Sequence, residues 1–155
     1  MDLVTKLDVL LLLNKMFNKK GIVWGLGASA LLYFKGIVKD FNDIDIMVRE
    51  DDIPTVLNIL NESNIRVSYE KDCKRALHYI SMTIDNVSVS ILAGMKLYDN
   101  GIIKIVKFSD IYINEYVDIM NAYIPLMACK DWCKWYSLMG RVSKVDAMME
   151  KKHLW

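Results

Sequence analysis

The sequence predicts a mixed α/β fold, a twisted sheet with helices packed on one face and further helices at the C-terminus. Two patterns carry that reading. Apolar residues recur at helical spacing near both ends of the chain, and short runs rich in Ile and Val alternate with polar residues between them. Turn signals such as Gly36 and Asp85-Asn86 separate these segments. At 155 residues the chain reads as a single domain over residues 1–155, long enough to bury most of its apolar surface. Because 54% of the residues are apolar, with ten Met and four Trp, either the core is generous or a protein partner or second copy covers part of the surface.

The elements follow in order. Leu3 to Asn18 predicts a helix, with Leu3, Leu7, Leu10 and Leu11 on neighbouring turns and Gly21 beyond its basic end. Ile22 to Trp24 predicts a short buried strand, and Ala28 to Phe34 a helix that Gly36 can end. Gly25, Gly27, Ala28 and Ser29 form the turn between them. Asp43 to Val48 predicts a strand. Asp51 and Asp52 then cap a helix with Pro54 in its first turn, running to about Asn61. Ile65 to Tyr69 predicts a short strand, and Ala76 to Ile84 with Val87 to Leu92 a hairpin about Asp85-Asn86. Ile102 to Val106 extends the sheet. Tyr116 to Ile119 and Ala122 to Met127 pair about Met120-Asn121, with Pro125 marking an edge. Asp131 to Met139, ended by Gly140, and Val142 to Lys152 are the closing helices. No repeat, low-complexity tract or Pro/Gly/Ser-rich linker divides the chain.

The chemistry concentrates between Gly25 and Val48. In a strand, Asp43 and Asp45 leave the same face while Ile44 and Ile46 face the core. Same-face positions lie roughly 6.5 to 7 Å apart, so inward-leaning carboxylates can hold hard divalent ions, magnesium above all. The alternative for Asp43 and Asp45 is the solvated face of an edge strand. Ahead of them, small side chains at Gly25, Gly27 and Ala28 let a phosphate approach free helix-terminal amides, and Ser29 adds a hydroxyl. The same residues also suit close helix–sheet packing. The turn lacks the Lys and spacing of a Walker A loop and does not complete a dinucleotide fingerprint.

Trp24-Gly-Leu-Gly-Ala-Ser-Ala-Leu31 followed by Phe41-Asn-Asp-Ile-Asp-Ile-Met47 resembles the signature of the polymerase-β-like nucleotidyltransferases, a Gly-Gly or Gly-Ser turn ahead of an Asp-apolar-Asp strand. The resemblance is sharp over Ile22 to Val48. It is greatest to the small bacterial branches, the antibiotic nucleotidyltransferases and the nucleotidyltransferase-like proteins of abortive-infection and toxin-antitoxin systems. It implies the nucleotidyltransferase fold and Mg2+-dependent transfer of a nucleoside monophosphate from ATP or GTP to a hydroxyl acceptor. Asp43 and Asp45 would be the catalytic metal ligands, and Gly27, Ala28 and Ser29 would bind the nucleotide. Arg141 and Lys144, after Gly140, resemble the basic residues that approach the triphosphate in the family's closing helices. A solvated helical face is the more ordinary reading of both.

One departure bears on turnover. Active members carry a third carboxylate on a later strand, and the matching position here is Ser90, with Ser88 its same-face neighbour. Asp85 has the wrong parity, and Asp99 reads as loop beyond Gly94. A neutral hydroxyl removes a negative charge where two divalent ions must sit together, which leaves catalysis weakened or absent. The alternative to an enzyme is therefore a catalytically degenerate binder of a nucleotide or protein partner in a defence or toxin-antitoxin pair.

Other classes are disfavoured. A net charge of +1 gives no global attraction to nucleic acid or a membrane, although the stretch from Cys129 onward holds six Lys and Arg against three acidic residues. No run approaches the roughly 18 to 20 apolar residues of a membrane span. Leu10 to Leu13 lacks the features of a secretory signal. Cys73, Cys129 and Cys133 suit reduced thiols in the cytoplasm rather than a zinc site. His78 and His153 form no visible pair with a nucleophile. Tyr33, Phe34, Trp132, Trp135 and Tyr136 suit core packing better than base stacking, and Lys35 and Lys39 suit a basic loop as well as a phosphate contact.

Overall fold

Asp2 caps the first helix through Oδ1, which accepts the Thr5 amide at 2.8 Å. Helix α1 (Leu3–Lys19) then buries Val9, Leu10, Leu13 and Phe17 on one stripe. The computed structural model describes residues 2–155. Strands β1 (Trp24–Gly27) and β2 (Asp43–Val48) flank α2 (Ala28–Phe34), and α3 (Ile53–Glu62) follows. Next come β3 (Ser68–Lys71), β4 (Ala76–Ile84), β5 (Val87–Asp99), β6 (Ile102–Val106), β7 (Ile113–Ile119) and β8 (Ala122–Met127), closed by α4 (Cys129–Leu138) and α5 (Val142–Glu150).

The strands form one mixed sheet in the order β3-β4-β5-β2-β1-β8-β7, with β6 paired to the far half of β5. Its two faces differ because each strand alternates. Leu26 registers with Ile46, Ile46 with Ile91 and Ile91 with Ile80, all fully buried. This apolar face receives α1, whose Phe17 meets Trp24 edge-on at 6.0 Å between centroids, and α3 packs beside α1. The opposite face carries Gly25, Gly27, Asp43, Asp45, Ser88 and Ser90 in adjacent registers. The mixed sheet with helices on its apolar face matches the predicted class.

Several boundaries differ for identifiable reasons. Strand β1 starts at Trp24 and runs through Gly27, because Gly25 and Gly27 pair with Met47 and Asp45 instead of forming a turn. Strand β3 lies at Ser68–Lys71, fully exposed, three residues beyond the start of the apolar run expected to form it. Strand β5 does not stop near Leu92. Gly94, at φ +70, lets the chain bend and continue into pairing with β6, so Asp99 ends a strand and bonds Lys104 at 2.9 Å. Pro125 sits in an interior strand, opposite Tyr116 and between β1 and β7. The edge is β7, and β8 registers with β1 through the Leu26–Leu126 pair. Asp52 does not cap α3 with its side chain, since its Oδ2 accepts from Arg49 Nε at 3.1 Å.

Candidate active site

Asp43 and Asp45 project from β2 into a cleft of about 660 Å³. Its floor is set by the sheet register: Asp45 lies opposite Gly27 on β1 and opposite Ser90 on β5, and Asp43 lies opposite Ser88. Ala28 and Ser29 line the cleft at the head of α2, and Ser29 Oγ donates to the Asp43 carbonyl at 3.4 Å. Ala28 has φ +52, a left-handed conformation that costs a residue with a Cβ about 1 to 2 kcal/mol and turns the chain sharply from β1 into α2.

The segment leading into β2 is held by an ion pair. Lys6, buried in α1, donates to Asp40 Oδ1 at 2.9 Å, and the same oxygen accepts the Phe41 amide at 2.8 Å. Lys6 also lies over the Phe41 ring at 5.5 Å. This clamp fixes where the acidic strand begins.

Burial, together with the neighbouring Asp43 charge, pushes the Asp45 carboxyl up to about 6; Arg75, Arg141 and Lys144 oppose that rise. The Tyr136 hydroxyl is pushed well above its ordinary value, mainly by burial and secondarily by Asp45. Asp45 is thus half-buried beside the exposed Asp43, and its stabilising charges come from two segments, Arg75 before β4 and Arg141 with Lys144 at the start of α5.

Not every residue expected to bind a nucleotide faces open space. Gly27 does not line the cleft, because the Trp132 indole lies so close that an added Cβ would meet its Cζ2 at 2.3 Å. Trp132 packs edge-on to Trp135 at 5.1 Å and against Tyr136 at 5.5 Å, so α4 covers the β1 end of the acidic face. Trp132 Nε1 is buried without a hydrogen-bond partner among the described residues. Arg141 and Lys144 do line the cleft, at the start of α5, and the Arg141 guanidinium lies 5.8 Å from the Tyr136 ring centroid.

Ser90 is buried, and its Oγ is 3.1 Å from Tyr79 Oη. Arg75 Nη1 donates to the same phenol at 3.0 Å while its guanidinium lies 5.2 Å from the Tyr79 ring centroid. Sequence reading missed Arg75, Lys74 and Tyr79. The available signal was the basic cluster Lys71, Lys74 and Arg75 just before a strand that pairs with the Ser90 strand.

The remaining candidates lie elsewhere. Cys129 is buried, which pushes its thiol up to about 11 and leaves it a poor nucleophile at neutral pH. Cys73 and Cys133 are unbridged. His78 Nδ1 is 2.7 Å from Tyr69 Oη. Among the described residues no helix is long and apolar enough to cross a membrane, and no cluster of three or more His, Cys, Asp or Glu side chains could hold a metal.

No family model and no curated protein sequence matches the chain. Solved structures do. A provisionally assigned nucleotidyltransferase from Thermotoga maritima superposes with a TM-score of 0.74 at 19% identity, over 99% of this chain and 96% of that one. The antibiotic-resistance factor ANT(2'')-Ia, in complex with adenylyl-2''-tobramycin, gives 0.61 at 10% identity, over 97% and 91%. The lincosamide antibiotic adenylyltransferase LnuA, bound to lincomycin, gives 0.53 at 13% identity, over 79% and 80%. Along nearly its whole length the chain shares the fold of these solved nucleotidyltransferase structures.

Proposed function

We propose that the cleft binds a nucleoside triphosphate, ATP or GTP, with magnesium and transfers its nucleoside monophosphate to a hydroxyl acceptor. The observation that carries this reading is the pair Asp43 and Asp45 on one face of β2, flanked by the turn at Ala28 and by Arg141 and Lys144 in the same cleft. The fold is compatible with it, and the adenylylated tobramycin in one structural neighbour is the kind of product such a transfer yields.

Asp43 and Asp45 fit one magnesium ion, because they are hard oxygen donors and a cation would relieve the burial and mutual repulsion that raise Asp45. Bound there, magnesium would supply positive charge to phosphoryl oxygens. The chain's own groups do the rest. Ala28, Ser29, Arg141 and Lys144 would hold the phosphates, and the exclusion of water by Trp132 and Tyr136 would strengthen each contact. The acceptor oxygen forms a bond to the α phosphorus as the α–β anhydride bond breaks. Pyrophosphate leaves with the electron pair, and the hydroxyl proton passes to solvent because Ser90 offers no carboxylate to take it.

A second reading is favoured by Ser90 itself: a degenerate site that binds nucleotide without turnover and serves a protein partner or a second copy. Free cysteines are consistent with the reducing cytoplasm for either reading. Calorimetric titration with ATP and GTP, with and without magnesium, tests the site in wild type and in Asp43→Asn/Asp45→Asn. Metal-dependent binding lost in the double variant supports the assignment, and unchanged binding in that variant overturns it.

A further inference from the structure

The Ala28–Ser29 turn and the Lys74–Arg75 pair fall on two opposite sides of the acidic strand. In the sheet order, β1 lies on one side of β2, with Ala28 and Ser29 at its end and α4 above it; β5 and β4 lie on the other. Lys74 and Arg75, just before β4, belong to the second side, while Arg141 and Lys144 line the same cleft from the start of α5, after α4, which reaches from Gly27 to β5. In the nucleotidyltransferase reading, on which this inference rests, displacement at the α phosphorus is in line, so the attacking hydroxyl and the leaving pyrophosphate lie on opposite sides of it. With the phosphate chain anchored at Ala28 and Ser29, the acceptor enters beside Ser90, Tyr79 and Arg75.

We propose that the acceptor is an anionic hydroxyl compound, one carrying a phosphate or carboxylate, and that Arg75 with Lys74 forms its anion-binding subsite.

The subsite is built rather than incidental. The Arg75 guanidinium is aimed by the Tyr79 phenol, at 3.0 Å, and the phenol is itself fixed by Ser90 at 3.1 Å. The backbone on either side is braced: the Lys96 amide donates to the Arg75 carbonyl at 2.8 Å, and Tyr98 Oη donates to the Lys74 carbonyl at 2.8 Å. Neither Lys74 nor Arg75 enters an ion pair among the described residues, whereas nearby Lys96 is neutralised by Asp72. A pre-aimed guanidinium without a carboxylate partner matches the fork geometry of a phosphate or carboxylate. The acidic side chains that line the cleft are Asp40, Asp43 and Asp45. Asp40 is occupied by Lys6 and the other two belong to the metal in this reading, so an acceptor rich in ammonium groups would find no free anion there.

The test is a titration of the full chain with inorganic phosphate, first alone and then with magnesium and α,β-methylene-ATP at saturation, with spermidine as the cationic counter-probe. Phosphate should bind in both conditions and spermidine should not. Arg75→Ala should weaken phosphate roughly tenfold or more, the loss of a charge-assisted hydrogen bond, while weakening the ATP analogue less than Arg141→Ala does. Tyr79→Phe should weaken phosphate without lowering Tm appreciably, which separates aiming of Arg75 from folding. The proposal is overturned if no phosphate binds once the analogue is at saturation, if Arg75→Ala weakens the analogue as much as Arg141→Ala does, or if spermidine binds in place of phosphate. Failure of the analogue to bind wild type would instead sink the nucleotidyltransferase reading. The phosphate-only titration still decides the subsite in that case: dependence on Arg75 sustains it, and dependence on Arg141 refutes it.

Discussion

Ser90 lies directly beside Asp45 on the adjacent parallel strand, with its hydroxyl turned to Tyr79. On the proposed function an acidic side chain at that register would add a third carboxylate beside Asp43 and Asp45, and Ser90→Asp is therefore the informative gain-of-function change. Without metal, a third negative charge about 5 Å from a half-buried carboxylate costs roughly 2 to 4 kcal/mol at an effective dielectric near 20. The variant should melt below wild type in EDTA, recover with magnesium, and show more nucleotide transfer or triphosphate hydrolysis than wild type. A variant equally destabilised with and without magnesium would mean that the position does not face the metal.

The raised carboxyl of Asp45 gives a stability profile with a definite sign. A group whose folded value is about 6 against 3.8 unfolded favours the folded state fully below pH 3.8, and that contribution disappears as pH rises through about 6. The difference corresponds to about 3 kcal/mol at most. In metal-free buffer, Asp45→Asn should be more stable than wild type at pH 8, and the gap should close as pH falls toward 4. Chemical denaturation of both proteins at these pH values measures it, and a gap independent of pH would show that Asp45 is not a desolvated, repelled carboxylate.

The acidic strand was legible in the sequence because alternation fixes the face of each residue: Asp43–Val48 matches the predicted bounds, and Ile44 and Ile46 are fully buried. The hairpins about Asp85-Asn86 and Met120-Asn121 were legible too, since all four turn residues take the positive φ that two-residue hairpin turns demand. Gly27 shows the limit. Its small size signals a close approach, but composition cannot say whether the approaching group is a phosphate or the Trp132 ring from a helix a hundred residues later. Pro125 misled because an interior strand can tolerate a missing donor where its pairing to the neighbouring strand is short. Arg75 was invisible because its importance comes from the β4–β5 register, which only the fold supplies.

Gly27→Ala tests the indole contact. The new Cβ would fall 2.3 Å from Cζ2 and 2.7 Å from Nε1 of Trp132, which sits rigidly against Trp135 and Tyr136. Overpacking of this kind costs about 1 to 3 kcal/mol. Trp132→Leu in the same chain should recover part of that loss, a non-additivity expected only for touching side chains. Gly101→Ala makes a useful contrast: nothing lies within 4 Å of its added Cβ, so any cost there comes from its φ of +79 and should not respond to Trp132→Leu. Additive losses for Gly27→Ala and Trp132→Leu would remove the contact from the account.

Arg141 is the residue on which nucleotide affinity should depend most visibly. It stands at the start of α5, its backbone amide fixed by the Tyr136 carbonyl at 2.9 Å and its guanidinium close to the Tyr136 ring. It lines the cleft with Ala28 and Ser29, and its charge, like those of Arg75 and Lys144, holds the Asp45 carboxyl down. A charge-assisted hydrogen bond to phosphate is worth about 1.5 to 3 kcal/mol, so Arg141→Ala should weaken magnesium-dependent ATP binding roughly tenfold to a hundredfold. Arg141→Lys should recover only part of that, because an ammonium keeps the charge and loses the fork. The loss should shrink at higher salt if it is chiefly long-range attraction, and persist if it is a direct contact. Titrations of the three proteins at low and high ionic strength decide between these, and equal affinities throughout would place the triphosphate away from α5.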